Sequence, residues 1–166
     1  MTVRSVEARL QALEDERDVL RPLYQYAHTL DYGPEDEFLD CFTDDAVWAQ
    51  AGRYAKPETA RRFEGRNGLI LFFRHHTHAP DVYHKHLLVE PRIVLDGDEA
   101  RVDSYYIRID EHPDGVYVRS FGRYRDRVVR CPDGKWRIRE RQTETEGRTR
   151  KDFPPAPWTD LPLLVR

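Results

Sequence analysis

A chain of 166 residues suffices for one domain with one buried core. Its 27 Lys and Arg against 30 Asp and Glu leave a formal charge of −3, which gives no general attraction for nucleic acid or an anionic membrane surface. Hydrophobic residues make up 39%, and 3 Trp, 9 Tyr and 7 Phe supply large burial units that argue against disorder. With 7 His against 2 Cys and 1 Met, histidine is the residue type that needs explaining.

The opening residues, Met1 to Glu7, place no apolar run behind Arg4, so the sequence reads as an unsecreted, cytoplasmic protein. The longest apolar cluster, Leu69 to Phe73, stops at Arg74 and is far too short for a membrane span. Cys41 and Cys131 match no metal spacing and no Cys-x-x-Cys motif, and read as reduced thiols.

The first third predicts helix. Val6, Leu10, Leu13 and Leu20 fall at helical spacing, and Leu23, Tyr26, Ala27 and Leu30 continue the stripe. Pro22 between them predicts a kink, or a restart with Asp18 as N-cap. Asp31-Tyr32-Gly33-Pro34 ends the helix. Glu35 to Phe42 is a short helix, Asp44-Asp45 a turn, and Ala46 to Ala49 a short strand. Arg66 to Arg74 predicts a helix with one apolar face. From Tyr83 the period becomes two, predicting strands at 83–95, 99–110, 116–130 and 135–147. Turns at Asp96-Gly97-Asp98 and Pro132-Asp133-Gly134 separate the first and last pairs. Long antiparallel strands in succession predict an α+β fold, a strongly bent sheet wrapped around N-terminal helices. Pro154 to Trp158 cannot pair in a central strand, so 1–166 reads as one domain with 152–166 as a C-terminal strap.

Arg123, Arg125 and Arg127 alternate on one strand, and Arg137, Arg139 and Arg141 on the next, which places each trio on one face. Acidic residues interleave with them, at Asp126, Glu140, Glu144 and Glu146. The pattern predicts a solvated or inter-subunit ion-pair face ahead of RNA binding.

The histidines allow two chemistries. His84-x-His86 followed by Glu90 and Gly97 fits the first metal-binding motif of cupins, but the second has no counterpart. The sequence is therefore read as holding no metal and needing no cofactor. The other chemistry is an acid/base pair, in which a buried Asp31 fixes the tautomer of a histidine and raises its basicity. Tyr26 can aim a hydroxyl at a developing oxyanion. Spacing alone does not join Tyr26, Asp31 and His86.

A resemblance does. Leu23 to Gly33, followed by Phe38 to Trp48, resembles the opening of a SnoaL-like protein of the nuclear transport factor 2-like superfamily. His86 to Ile93 with Asp96 to Ala100 is similar to that family's first long strand and hairpin, and Gly122 to Asp126 and Trp136 to Ile138 to its last two strands. The pattern is closest to the scytalone dehydratase, bile acid 7α-dehydratase and hexachlorocyclohexane dehydrochlorinase group. The resemblance implies a cone-like curved sheet and assigns catalytic roles to Asp31, His86 and Tyr26. It suggests His84, Trp48, Tyr105 and Tyr106 as substrate contacts or pocket lining. His75, His76 and His78 read as an ordinary polar helix end. The implied function is a cofactor-independent lyase or isomerase, dehydratase-like, acting on a polycyclic, aromatic, polyketide or steroid-like molecule. Its partners would be that substrate and further copies of the chain, with no nucleic acid or membrane. The alternative is a non-catalytic ligand-binding protein or a dioxygenase small-subunit-like scaffold.

Overall fold

In a computed structural model, which describes residues 5–149 apart from 57 and 59, Ser5 opens the first helix. Its hydroxyl accepts the Ala8 N–H at 3.2 Å and caps α1 (Val6–Tyr32). The strap expected over 152–166 lies outside the described residues. Pro22 sits inside α1, which runs through it without the restart that Asp18 allowed. The ring removes one hydrogen bond, to the Asp18 carbonyl, while Val19, Leu23, Tyr26 and Leu30 on either side are buried and hold the helix by packing. Val6, Leu10 and Leu13 of the same stripe are exposed. Gly33, at φ 73°, ends α1 by donating its N–H to the Thr29 carbonyl at 2.6 Å.

After α2 (Glu35–Asp40) come β1 (Phe42–Ala51), β2 (Arg62–Glu64) and α3 (Gly65–Arg74). Four long strands follow: β3 (His84–Asp96), β4 (Glu99–His112), β5 (Gly115–Arg130) and β6 (Trp136–Arg148). They form one open sheet in the order β2-β1-β6-β5-β4-β3, antiparallel throughout except between β1 and β6. Asp44 and Asp45 belong to β1 and do not form a turn, because the pairing with β6 shifts register between Phe42 and Val47. The helices lie on one face, α1 against β3 and β6 and α3 against β1. Between them runs an aromatic core in which Phe38, Phe72 and Trp48 pack ring to ring, Trp48 and Phe72 at 4.6 Å. Among the described residues no helix is long and apolar enough to cross a membrane.

Bulges decide which side chains face the helices. In β3 the register shifts between Val89 and Arg92, where Glu90 takes φ 49°. Between β5 and β6, Arg127 pairs with Glu140 but Val128 with Ile138, which leaves Arg139 as the extra residue. A slip of one residue exchanges the faces of a strand. Arg137 and Arg139 therefore face outward to Asp40, Asp133 and Asp45, while Arg141 turns inward and is fully buried. The sequence reading, which put all three on one face, is corrected by that bulge. The outward arginines of β5 pair with acids as expected, Arg123 with Glu144 and Glu146 and Arg127 with Glu99. Strands β5 and β6 also approach so closely at Gly122 that a Cβ there would stand 1.9 Å from the Glu144 carbonyl oxygen.

Candidate active site

The last turn of α1, the end of α3 and the start of β3 meet at Asp31. His78 clasps the two helix ends, with Nδ1 2.9 Å from the Leu30 carbonyl and Nε2 3.0 Å from that of Phe73. Alternation along β3 puts His84 and His86 on the face toward α1. The Asp31 carboxylate is 4% exposed and accepts twice from His86: the ring Nδ1 lies 2.6 Å from Oδ1, and the backbone N–H donates to Oδ2 at 3.0 Å. Burial pushes the Asp31 carboxyl up, opposed by the His86 N–H and by the positive charge of Lys85 and Arg108. Because the group beside Nδ1 is a carboxylate, the ring proton belongs on Nδ1. That leaves the lone pair of His86 on Nε2, the nitrogen away from Asp31.

His84 is buried, with Nε2 3.3 Å from Asp31 Oδ1. That contact is off the line of a hydrogen bond, and neither ring nitrogen has a hydrogen-bonding partner among the described residues. Its expected substrate contact thus lies beside the Asp31 carboxylate. His76 corrects the reading of the helix end. It is buried, its ring 4.9 Å from that of His84 and 5.3 Å from that of His86. Its Nδ1 lies 2.7 Å from the Thr77 carbonyl. The signal was present in the sequence: Leu69, Phe72, Phe73 and His76 fall at i, i+3, i+4 and i+7, so His76 extends the buried face of α3. His75, by contrast, turns back onto the Leu71 carbonyl at 2.8 Å.

Burial lowers the basicity of all three rings, His84 to about 4 and His76 and His86 well below the usual histidine range. Arg108 on β4, the register partner of His86, lowers each of them further. Burial thus holds each ring toward its neutral form. His76, His84 and His86 each offer a nitrogen within 4.8 Å of the other two, the donor set of a three-histidine metal centre. This set is not the cupin-like one, since Glu90 is exposed at the β3 bulge.

Tyr26 points into the aromatic core. Its hydroxyl accepts the Trp48 indole N–H at 3.2 Å, and its ring lies 4.1 Å from the Arg141 guanidinium carbon. Burial pushes the phenol up to about 12. Arg141 is sandwiched between Tyr26 and Tyr124 and makes two 2.8 Å hydrogen bonds to Asp126, with Nη1 left without a hydrogen-bonding partner among the described residues. Trp48 packs against Phe63 and Phe72. Tyr106 stacks on Tyr124 and shares a 2.7 Å hydrogen bond with Thr145. Tyr105, suggested as pocket lining, is 51% exposed on the opposite face, because its neighbour Tyr106 takes the inward position. Sequence reasoning thus brought Asp31, His84 and His86 to one place and missed His76, Arg108 and Arg141.

The model of the SnoaL-like domain matches residues 11–142. No curated protein matches the chain. Among solved structures, a Novosphingobium aromaticivorans protein described as nuclear transport factor 2-like with a cystatin-like fold is 19% identical, with a TM-score of 0.73 over 91% of this chain and 92% of that one. A candidate aromatic ring hydroxylase from the same organism is 26% identical, with a TM-score of 0.65 over 81% of this chain and 91% of that one. A Catenulispora acidiphila protein, solved in complex with S-DNPA, is 23% identical, with a TM-score of 0.64 over 80% of this chain and 94% of that one.

Proposed function

We propose that this chain, which belongs to the SnoaL-like family of the nuclear transport factor 2-like superfamily, is a cofactor-independent acid/base lyase or isomerase of the dehydratase type. The observation that carries the reading is the 2.6 Å contact between Asp31 Oδ1 and His86 Nδ1, backed by the His86 N–H on the same carboxylate. A scaffold has no need of a buried carboxylate orienting a buried imidazole. His86 Nε2 takes a proton from carbon next to a substrate carbonyl. The imidazolium that forms stands against Asp31, which offsets its charge. The same nitrogen returns the proton to a leaving hydroxyl, so dehydration completes on one face. Isomerisation uses the two transfers without loss of water.

Tyr26 hydrogen-bonds the oxygen that gains charge. Since its own oxygen accepts from Trp48, its proton is available to donate. Tyr26→Phe is expected to lower kcat by about 10²-fold, the scale of one lost oxyanion donor, while KM changes little. An unchanged kcat would assign Tyr26 to the core alone. A substrate flanked by Trp48, Tyr106 and Phe72 would be aromatic or polycyclic.

The test is turnover on a panel of polycyclic β-hydroxy ketones, read as loss of water or as exchange of the α-proton in D2O. Neither reaction on any panel member, from a protein that purifies only with a larger partner, would favour the scaffold reading. The three-histidine donor set gives a second test. Turnover is expected to survive dialysis against a strong chelator. Loss of turnover on chelation, restored by added zinc, would replace the acid/base reading by metal chemistry at His76, His84 and His86.

A further inference from the structure

The acid/base reading gives no role to Arg108. It lies on the inward face of β4, between His86 of β3 and Ser120 of β5 in register, and its side chain is 18% exposed. Its charge acts on His76, His84, His86, Asp31 and Tyr106, so it stands among the groups that would surround a substrate. Asp110, two residues on, holds Nε at 2.6 Å. That contact fixes the plane of the guanidinium and leaves its two terminal nitrogens, Nη1 and Nη2, with no hydrogen bond among the described residues.

A guanidinium held at one nitrogen still has two donor nitrogens to satisfy. Asp31 is already shared by His84 and His86, and Asp110 is engaged with Arg108. Arg119, which lies near Asp110 and Arg108, and Arg148 add like charge at the same end of the sheet. A negative group on the substrate that seats on Arg108 would supply the partner those nitrogens lack among the described residues. The paired terminal nitrogens of a guanidinium present two parallel donors, which match the two oxygens of a carboxylate better than a single phenolate oxygen.

We propose that Arg108 is a substrate-binding residue that receives a carboxylate through Nη1 and Nη2, so that the molecule processed at the Asp31–His86 pair is an aromatic or polycyclic carboxylic acid. The inference rests on the acid/base reading for the word substrate, but the subsite is tested by binding alone. The probes are 2-naphthoate and 2-naphthamide, equal in shape and different in charge, titrated calorimetrically at pH 7.5 into the wild type, Arg108→Gln and Arg108→Lys. The naphthoate is expected to bind the wild type at least about tenfold more tightly than the amide, the scale of a charged hydrogen-bonded pair. That preference should vanish in Arg108→Gln and persist in part in Arg108→Lys. Equal binding of the two probes to the wild type would overturn the subsite, as would a full preference in either variant. If Arg108→Gln does not fold, the comparison of wild type with Arg108→Lys decides. Because no turnover is read, failure of the subsite leaves the Asp31–His86 reading standing, and a failed turnover screen leaves the subsite standing.

Discussion

Replacing Asp31 by Asn is expected to leave the fold intact and to lower kcat by about 10³–10⁴-fold. The substitution keeps the size of the side chain, and its carbonyl oxygen can still accept the His86 backbone N–H that now reaches Oδ2 at 3.0 Å. The amide nitrogen then faces Nδ1, where the carboxylate oxygen stood at 2.6 Å. Two donors cannot share that contact, so the ring proton moves to Nε2 and the lone pair turns away from the substrate. The negative charge that offsets the imidazolium is lost as well. His86→Gln is expected to cost a similar factor, and the double variant little more, because both changes disable one unit. The measurements are kcat on a substrate from the ketone panel and the melting temperature of each variant. Asp31→Asn keeping more than a tenth of wild-type kcat at an unchanged melting temperature would dismiss the pair as the reacting groups.

Elements governed by a long, regular period were legible in the sequence. Helix α1, helix α3 and all four long strands were located to within a few residues, since ten or more residues of consistent alternation outvote any local exception. What escaped were features that depend on a neighbour. Strand β2 has three residues and exists only by pairing with Trp48 and its flanks. Pro22 allows a restart until the buried residues beside it are seen to hold the helix. Arg141 reads as solvated when alternation runs straight through Arg139, where one extra residue turns the strand over. The same holds for the candidate site. Asp31 and His86 are 55 residues apart, and only a resemblance to a known family joined them before the sheet register did. His76 is within reach of periodicity alone, since it lies on the stripe from Leu69, one turn past Phe73.

Arg141→Met is expected to lower the melting temperature by roughly 10 °C, the largest stability effect of any change at the site. The side chain is fully buried, and its removal leaves the Asp126 carboxylate in the core without its two 2.8 Å partners. Breaking a buried pair from one side costs about 3–5 kcal/mol, and at this chain length each kcal/mol moves the midpoint by about 2–4 °C. Burial already pushes the Asp126 carboxyl up, and it is the guanidinium that opposes this. Without it Asp126 either stays charged in an apolar setting or takes up a proton, and both lower stability. Removing both charges, in Asp126→Leu with Arg141→Met, is expected to recover most of the loss, because an apolar pair of similar volume avoids desolvating two ions. Methionine also keeps a flexible chain between the Tyr26 and Tyr124 rings that now sandwich the guanidinium at 4.1 and 4.3 Å. Recovery of stability without recovery of kcat would give the pair a second duty, in turnover. It would mean that the ions are retained to hold the Tyr26 hydroxyl toward the reacting oxygen, at some expense to the stability of the fold. A single Arg141→Met variant that melts with the wild type would show instead that the core relaxes around Asp126, and that the pair holds nothing in place.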